Sequence, residues 1–270
     1  VAAVRYKLAC ARIAGTSHVD AAMPCQDYVA TRNARGVACM ALADGAGSRP
    51  HSASGAEASV KAALRLLSHH FDELHALGQS DSARVATRVL EACLAALGRK
   101  ARTLQTGVEQ LACTLMFVAH KDDRYLLGHL GDGAIMLETV PGQLEVVSHP
   151  HNGEYLNTTF FVTDRDAQAH FRIHAGEHAR PSFAVMSDGT AESLYLRSSG
   201  QAAMALHKLF AWNRDLSRAR MEGVLSANLA QAFGKRTSDD CAIGLLSALS
   251  LSAHAHEAAG SQQPHLPPAS

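Results

Sequence analysis

The chain has 270 residues, 47% apolar and 19% charged, a globular composition that excludes wholesale disorder. Its 25 basic residues balance its 25 acidic ones, so charge provides no footprint for nucleic acid and no polybasic membrane anchor. No apolar run reaches the roughly 18 residues of a membrane span, and the first ten residues lack a signal-peptide core.

In chain order, residues 6–14 read as a strand. Residues 36–43 (GVACMALA) are nearly all apolar, as suits a strand buried on both faces. The run Ser54-Gly55-Ala56-Glu57 has the form of a capping box. Beyond it Val60, Ala63, Leu64, Leu67, Phe71 and Leu74 recur at helical spacing, up to Gly78. A second helix is expected over 82–104. Strands at 111–120, 124–130, 134–139 and 144–148 read as a meander, with Gly131-Asp132-Gly133 and Pro141-Gly142 supplying turns. Runs 158–163, 169–174 and 182–187 extend it. Helical patterns return over 200–212 and 217–233, and a strand at 241–246 ends the pattern. Residues 251–270, rich in His, Ala, Gly, Ser, Gln and Pro, read as a disordered tail. Residues 1–250 then make one domain of helix pairs on largely antiparallel sheets.

None of the six cysteines forms a Cys-x-x-Cys pair, so a zinc site built from them is not expected. Most lie in apolar surroundings, and buried, reduced thiols of a cytoplasmic protein are the simplest reading. The sole tryptophan, Trp212, belongs to an apolar helical pattern and reads as core.

Chemistry gathers at the ends of the apolar strands. Asp44-Gly45, Asp132-Gly133 and Asp188-Gly189 each follow one, Asp239-Asp240 precedes the last, and Asp27 precedes another extended run. One Asp-Gly after a strand is ordinarily a turn. Three of them fit a metal centre better. Neighbouring strands place their ends on one rim, where two carboxylate charges about 4 Å apart repel by about 4 kcal/mol at an effective dielectric near 20. Hard divalent cations reverse that sign. Two such cations can make a shared water nucleophilic at neutral pH, which is chemistry for phosphoryl esters.

The ordered set GTSH (15–18), PCQD (24–27), ADGAGS (43–48) with SGAEAS (54–59), CTLMFV (113–118), GHLGDG (128–133), MSDGTAESL (186–194) and SDDCAIGLL (238–246) resembles the metal-dependent, type 2C Ser/Thr protein phosphatases, in particular a bacterial branch. The resemblance implies an α+β fold, a four-layer α-β-β-α sandwich with two largely antiparallel sheets. It implies hydrolysis of phosphoserine and phosphothreonine by a water held between two tightly bound Mn²⁺ or Mg²⁺ ions, with a third, weaker site. Carried over by position, Asp44 would bridge both metals and the Gly45 carbonyl would bind the second. Asp188 and Asp239 would hold the first, Asp27 would orient water, and Asp132 and Glu192 would serve the third. The implied partners are a phosphorylated protein substrate and a cognate Ser/Thr kinase.

The sequence departs from the better-known pattern at three positions. Gln26 stands where a Glu often ligates, Ala46 where a His follows Asp-Gly, and Ala22 where an Arg grips phosphate. Arg49 is the substitute candidate for phosphate and His51 for proton donation. These departures motivate the alternative of a weakly active or inactive binding module for a phosphoprotein or kinase. A third alternative is a hydrolase of small phosphoesters. His18 is either a residue near the cleft or a hydrogen-bonded structural one, and Asp240 reads as a supporting or solvated turn residue beside the ligand Asp239.

Overall fold

The structure, a computed structural model, describes residues 4–150, 159–233 and 236–250. The tail expected at 251–270 lies outside them. In chain order the elements are β1 (Val4–Ile13), α1 (Thr16–Asp20), β2 (Tyr28–Ala34), β3 (Val37–Ala43), α2 (Ser52–Ser80), α3 (Ser82–Leu104), β4 (Leu115–Lys121), β5 (Arg124–Leu130), β6 (Ala134–Val140) and β7 (Gln143–Ser148). There follow α4 (Ala167–His170), β8 (Arg172–Glu177), β9 (Ser182–Met186), α5 (Asp188–Leu194), a small hairpin of β10 (Tyr195–Leu196) and β11 (Gln201–Ala202), α6 (Ala205–Asp215), α7 (Arg218–Asn228) and β12 (Cys241–Ser250).

Two five-stranded antiparallel sheets result, ordered β1-β12-β9-β6-β7 and β2-β3-β4-β5-β8. The alternation of strand side chains explains the layering. In β3, Val37, Cys39, Ala41 and Ala43 join a core beneath α2 and α3, where Leu67, Leu74, Val89 and Leu97 pack. Its other face, Ala38, Met40 and Leu42, meets Phe183, Val185 and Leu246 of the opposite sheet. A third core lies beneath α6 and α7, where Leu209, Phe210 and Leu225 cover Ala184, Met186 and Ile243. Half-buried Trp212 packs against that core. The architecture is therefore the α-β-β-α sandwich. Among the described residues no helix is long and apolar enough to cross a membrane, and all six cysteines are free.

Several expectations change. The capping box does not form. The Ser52 N–H bonds to the Arg49 carbonyl, so α2 begins two residues early and Ser54 lies inside it; Glu57 pairs with Lys61 instead. In 111–120 the strand starts only at Leu115, after a tight turn over Val108–Leu111. The described part of 158–163 is not a strand. There the Phe161 N–H bonds to the Asp164 carboxylate and the Val162 N–H to the Cys113 carbonyl. Run 169–174 divides between α4 and β8. The helix expected from 200 starts at Ala205, because Gln201 and Ala202 pair with Leu196 and Tyr195. Nor is there one meander. Strand β5 ends in one sheet and β6 begins in the other, so Gly131-Asp132-Gly133 crosses between the sheets.

Candidate metal centre

That crossing builds the site. β3 is followed by Asp44, whose N–H donates to Thr114 Oγ1 at 2.8 Å, while the Thr114 N–H donates to the Asp44 carbonyl at 2.8 Å. Thr114 in turn sits against Gly131, where a Cβ would stand 2.6 Å from the threonine methyl. Gly131 has φ +123°, a backbone that L side chains resist. At Gly133 a Cβ would lie 2.5 Å from the Met186 carbonyl, at the end of β9. The two glycines thus let Asp132 approach β3 on one side and the β9–α5 junction, which carries Asp188, on the other. One carboxylate oxygen from each of Asp44, Asp132 and Asp188 lies within 4.8 Å of the others.

Asp27 is buried and neither of its carboxylate oxygens has a hydrogen-bond partner; its carbonyl accepts from Arg12. The nearby Ser187 hydroxyl favours the charged form, but its own bonds go to Ala242. Asp239 is exposed, accepts from the Asp240 N–H at 2.8 Å, and adds its negative charge to the field at Asp27, Asp44 and Asp188. It stands outside the tight trio. Glu192 is exposed and also adds repulsion at Asp188. Gly45 is buried; a Cβ there would stand 2.9 Å from Ser52 Cβ and 3.0 Å from the Gln26 carbonyl. Arg49 is exposed and His51 half-buried on the loop from Asp44 into α2, and Ala46 is buried.

Burial, reinforced by the other carboxylates, holds Asp27 and Asp44 protonated well above the ordinary carboxylate range. Burial, then Asp132 and Asp239, pushes Asp188 up to about 7, against the Gly189 N–H that donates to it at 2.6 Å.

Such an arrangement is costly for bare carboxylates and fits hard cations. The trio offers only oxygen. Around it are further buried oxygens without partners: both of Asp27, Gln26 Oε1 and Ser52 Oγ. Oxygen-only donor sets suit Mg²⁺, Mn²⁺ or Ca²⁺ rather than softer metals.

Sequence reasoning missed three contributors. Thr114 ties the Asp44 backbone, Thr159 Oγ1 donates to Asp132 at 2.5 Å, and Ser52 abuts Gly45. Their signal is weak, since a hydroxyl in an apolar run says nothing of which strand end it will meet. Asp240, read as a supporting or solvated turn residue, is buried and accepts from Gly15 and Gln26. A cavity of about 580 Å³ lies elsewhere, between α2 and α3, with Lys61, Arg65, His69 and Arg99 around an alanine floor.

Comparison with known proteins bears on the family and the fold. Over 189 residues the chain is 29% identical to serine/threonine-protein phosphatase 3 of Escherichia coli (strain K12), covering 68% of this chain and 73% of that protein. The catalytic domain of the serine/threonine phosphatase PstP, solved with two manganese ions, superposes with a TM-score of 0.59 at 15% identity, covering 92% of this chain and all of that one. PppA, a regulatory component of type VI secretion in Pseudomonas aeruginosa, gives 0.56 at 17% identity, covering 90% and 98%. At such identities the two structures speak for the fold alone. The family model for Protein phosphatase 2C matches residues 14–233, and the chain belongs to that family.

Proposed function

We propose that this chain removes phosphate from phosphoserine and phosphothreonine in proteins, using Mn²⁺ or Mg²⁺ held by the acidic cluster. The observation that carries the reading is the convergence of Asp44, Asp132 and Asp188 within 4.8 Å, beside the unpartnered carboxylate of Asp27. Asp44, Asp188 and Asp239, with the Gly45 carbonyl, would hold two cations; Asp132 and Glu192 would serve a third, weaker one. Bound there, the cations would neutralise the carboxylates and activate water for attack on phosphorus.

The chain's own residues do the rest. Asp27, buried and without a hydrogen bond to satisfy it, would orient the attacking water. Arg49, exposed at the rim, would meet the phosphate through its planar fork of donors. Ala46 carries no proton, so His51, half-buried on the same loop, would protonate the leaving oxygen. Gln26 offers a neutral amide where a carboxylate would bind a cation more strongly. The substrate would be a protein phosphorylated by a Ser/Thr kinase, and six free cysteines suit a cytoplasmic setting.

The test is phosphate release from a phosphothreonine peptide with Mn²⁺, with chelator, and for Asp188→Ala. Metal-dependent release that vanishes in the variant is expected. Binding of Mn²⁺ and phosphopeptide without turnover would replace this reading with that of a binding module. Turnover of small phosphoesters in preference to phosphopeptides would replace the substrate class.

A further inference from the structure

Asp240 is buried, and its carboxylate accepts two backbone N–H groups from a distant part of the chain and lies against a histidine ring there. Oδ1 accepts the Gly15 N–H at 2.7 Å and lies 2.8 Å from His18 Nδ1, and Oδ2 accepts the Gln26 N–H at 2.5 Å. The same join is closed by Ser17, whose N–H and hydroxyl both donate to the Ser238 carbonyl, at 3.1 and 2.6 Å. At Gly15 a Cβ would stand 2.3 Å from the Asp239 carbonyl, so the two segments touch backbone to backbone. Segment 15–27 is thus laid against the turn that carries Asp239.

Asp27 has no side-chain hydrogen bond to fix it. Its position comes from its backbone, held by Arg12 at its own carbonyl and by Asp240 one residue earlier, at Gln26.

We infer that Asp240 and His18 are positioning residues, which through the Gln26 backbone hold Asp27 and Gln26 at the acidic cluster and thereby set its affinity for divalent cations. The inference rests on the metal-dependent reading above. A merely structural role would cost stability and leave cation affinity alone. A positioning role acts as do the outer partners of metal ligands, whose loss typically costs about 10- to 100-fold in affinity or activity.

The test uses the full chain. Calorimetric titration with Mn²⁺ gives affinity, melting in chelator gives stability of the metal-free fold, and kcat and KM are measured on a phosphothreonine peptide. Asp240→Asn keeps the shape but turns an NH₂ toward one of the two backbone N–H groups. Its Mn²⁺ affinity and kcat should each fall by about 10-fold or more, with KM nearly unchanged. His18→Ala should move the same way. His18→Asn, which can place an N–H near the position of Nδ1, should recover most of the loss. Should Asp240→Asn fail to fold, the His18 pair decides, because that side chain is partly exposed and makes one contact with the carboxylate. Wild-type Mn²⁺ affinity in the His18 variants and in folded Asp240→Asn, whatever their melting temperatures, would overturn the inference and leave the phosphatase reading intact. Absence of Mn²⁺ binding by the wild type would instead overturn the metal-dependent reading, and this inference with it.

Discussion

Asp44 and Asp188 follow strands of different sheets, β3 and β9, yet carry carboxylate oxygens within 4.8 Å of each other and of Asp132. Each sheet alone would leave its carboxylate at a solvated rim. Only the sandwich brings them together, and burial makes their charge expensive.

That expense predicts opposite effects of one substitution. Asp44→Asn should abolish hydrolysis and weaken Mn²⁺ binding. In chelator the same variant should melt about 2–4 °C above the wild type, the shift expected for about 1 kcal/mol in a domain of this size. The wild type should gain stability on adding Mn²⁺, about 2.7 kcal/mol at one hundred times the dissociation constant. Differential scanning calorimetry of both proteins, with metal and with chelator, checks all three. A wild-type melting point indifferent to Mn²⁺ would contradict the assignment.

At another inter-sheet contact, His120 Nδ1 lies 3.0 Å from the Tyr6 hydroxyl, and its Nε2 lies 2.8 Å from the His178 carbonyl. Burial lowers its pKa below the ordinary 6.5, outweighing the His178 carbonyl and the charges of Asp123 and Asp122, which pull the other way; His178 adds a small repulsion. Below pH 6.5 the unfolded chain therefore binds a proton that the folded chain resists. The contribution to stability is complete above 6.5 and is lost as pH falls toward the lowered folded value. Urea midpoints measured in chelator from pH 7.5 to 5 should fall on the acid side, and more steeply than in His120→Gln. Equal slopes would remove His120 from the account.

Glu138 is buried in β6 and meets Arg214 and His207 of α6, the latter at 3.1 Å, with the Gly142 N–H at 3.3 Å. Removing one partner of a buried pair strands the other charge, at about 3–5 kcal/mol. Arg214 is partly exposed, so Arg214→Met should cost less, about 2 kcal/mol. The double variant Arg214→Met/Glu138→Leu should recover part of that loss, since no buried carboxylate is left behind, while His207 and the Gly142 N–H lose their acceptor. Denaturant unfolding of the single and double variants decides this, and equal destabilisation would argue against a stranded carboxylate.

Much of the fold was legible because the patterns are strong. The all-apolar run 37–43 reads as a strand with two buried faces, and in the structure those faces meet two different cores. Helix α3 was legible at both ends, with Asp81 accepting the Arg84 N–H at its start and Gln105 in the left-handed region at its close. What the sequence hid was which sheet a strand joins. A period-two pattern is the same whether its neighbour lies across a turn or across the sandwich, so Gly131-Asp132-Gly133 read as a turn while the structure uses it as a bridge. The acidic residues stood out because Asp-Gly repeatedly follows apolar strands. Their supports did not. Thr114, Thr159 and Asp240 act on residues 27 to 225 positions away, and no local rule marks such a pairing.

The layer between the sheets has a consequence for the chemistry. Met40, Leu42, Phe183 and Val185 interlock there. A strand advances about 3.3 Å per residue, so one step of slippage between the sheets would shift Asp44 against Asp188 by more than half of the 4.8 Å within which their oxygens lie. The greasy interior is in that sense the gauge block of the instrument: its side-chain volumes set the gap between two jaws. Trimming Phe183 or Met40 should therefore detune the jaws from a distance, and enlarging either should wedge them apart.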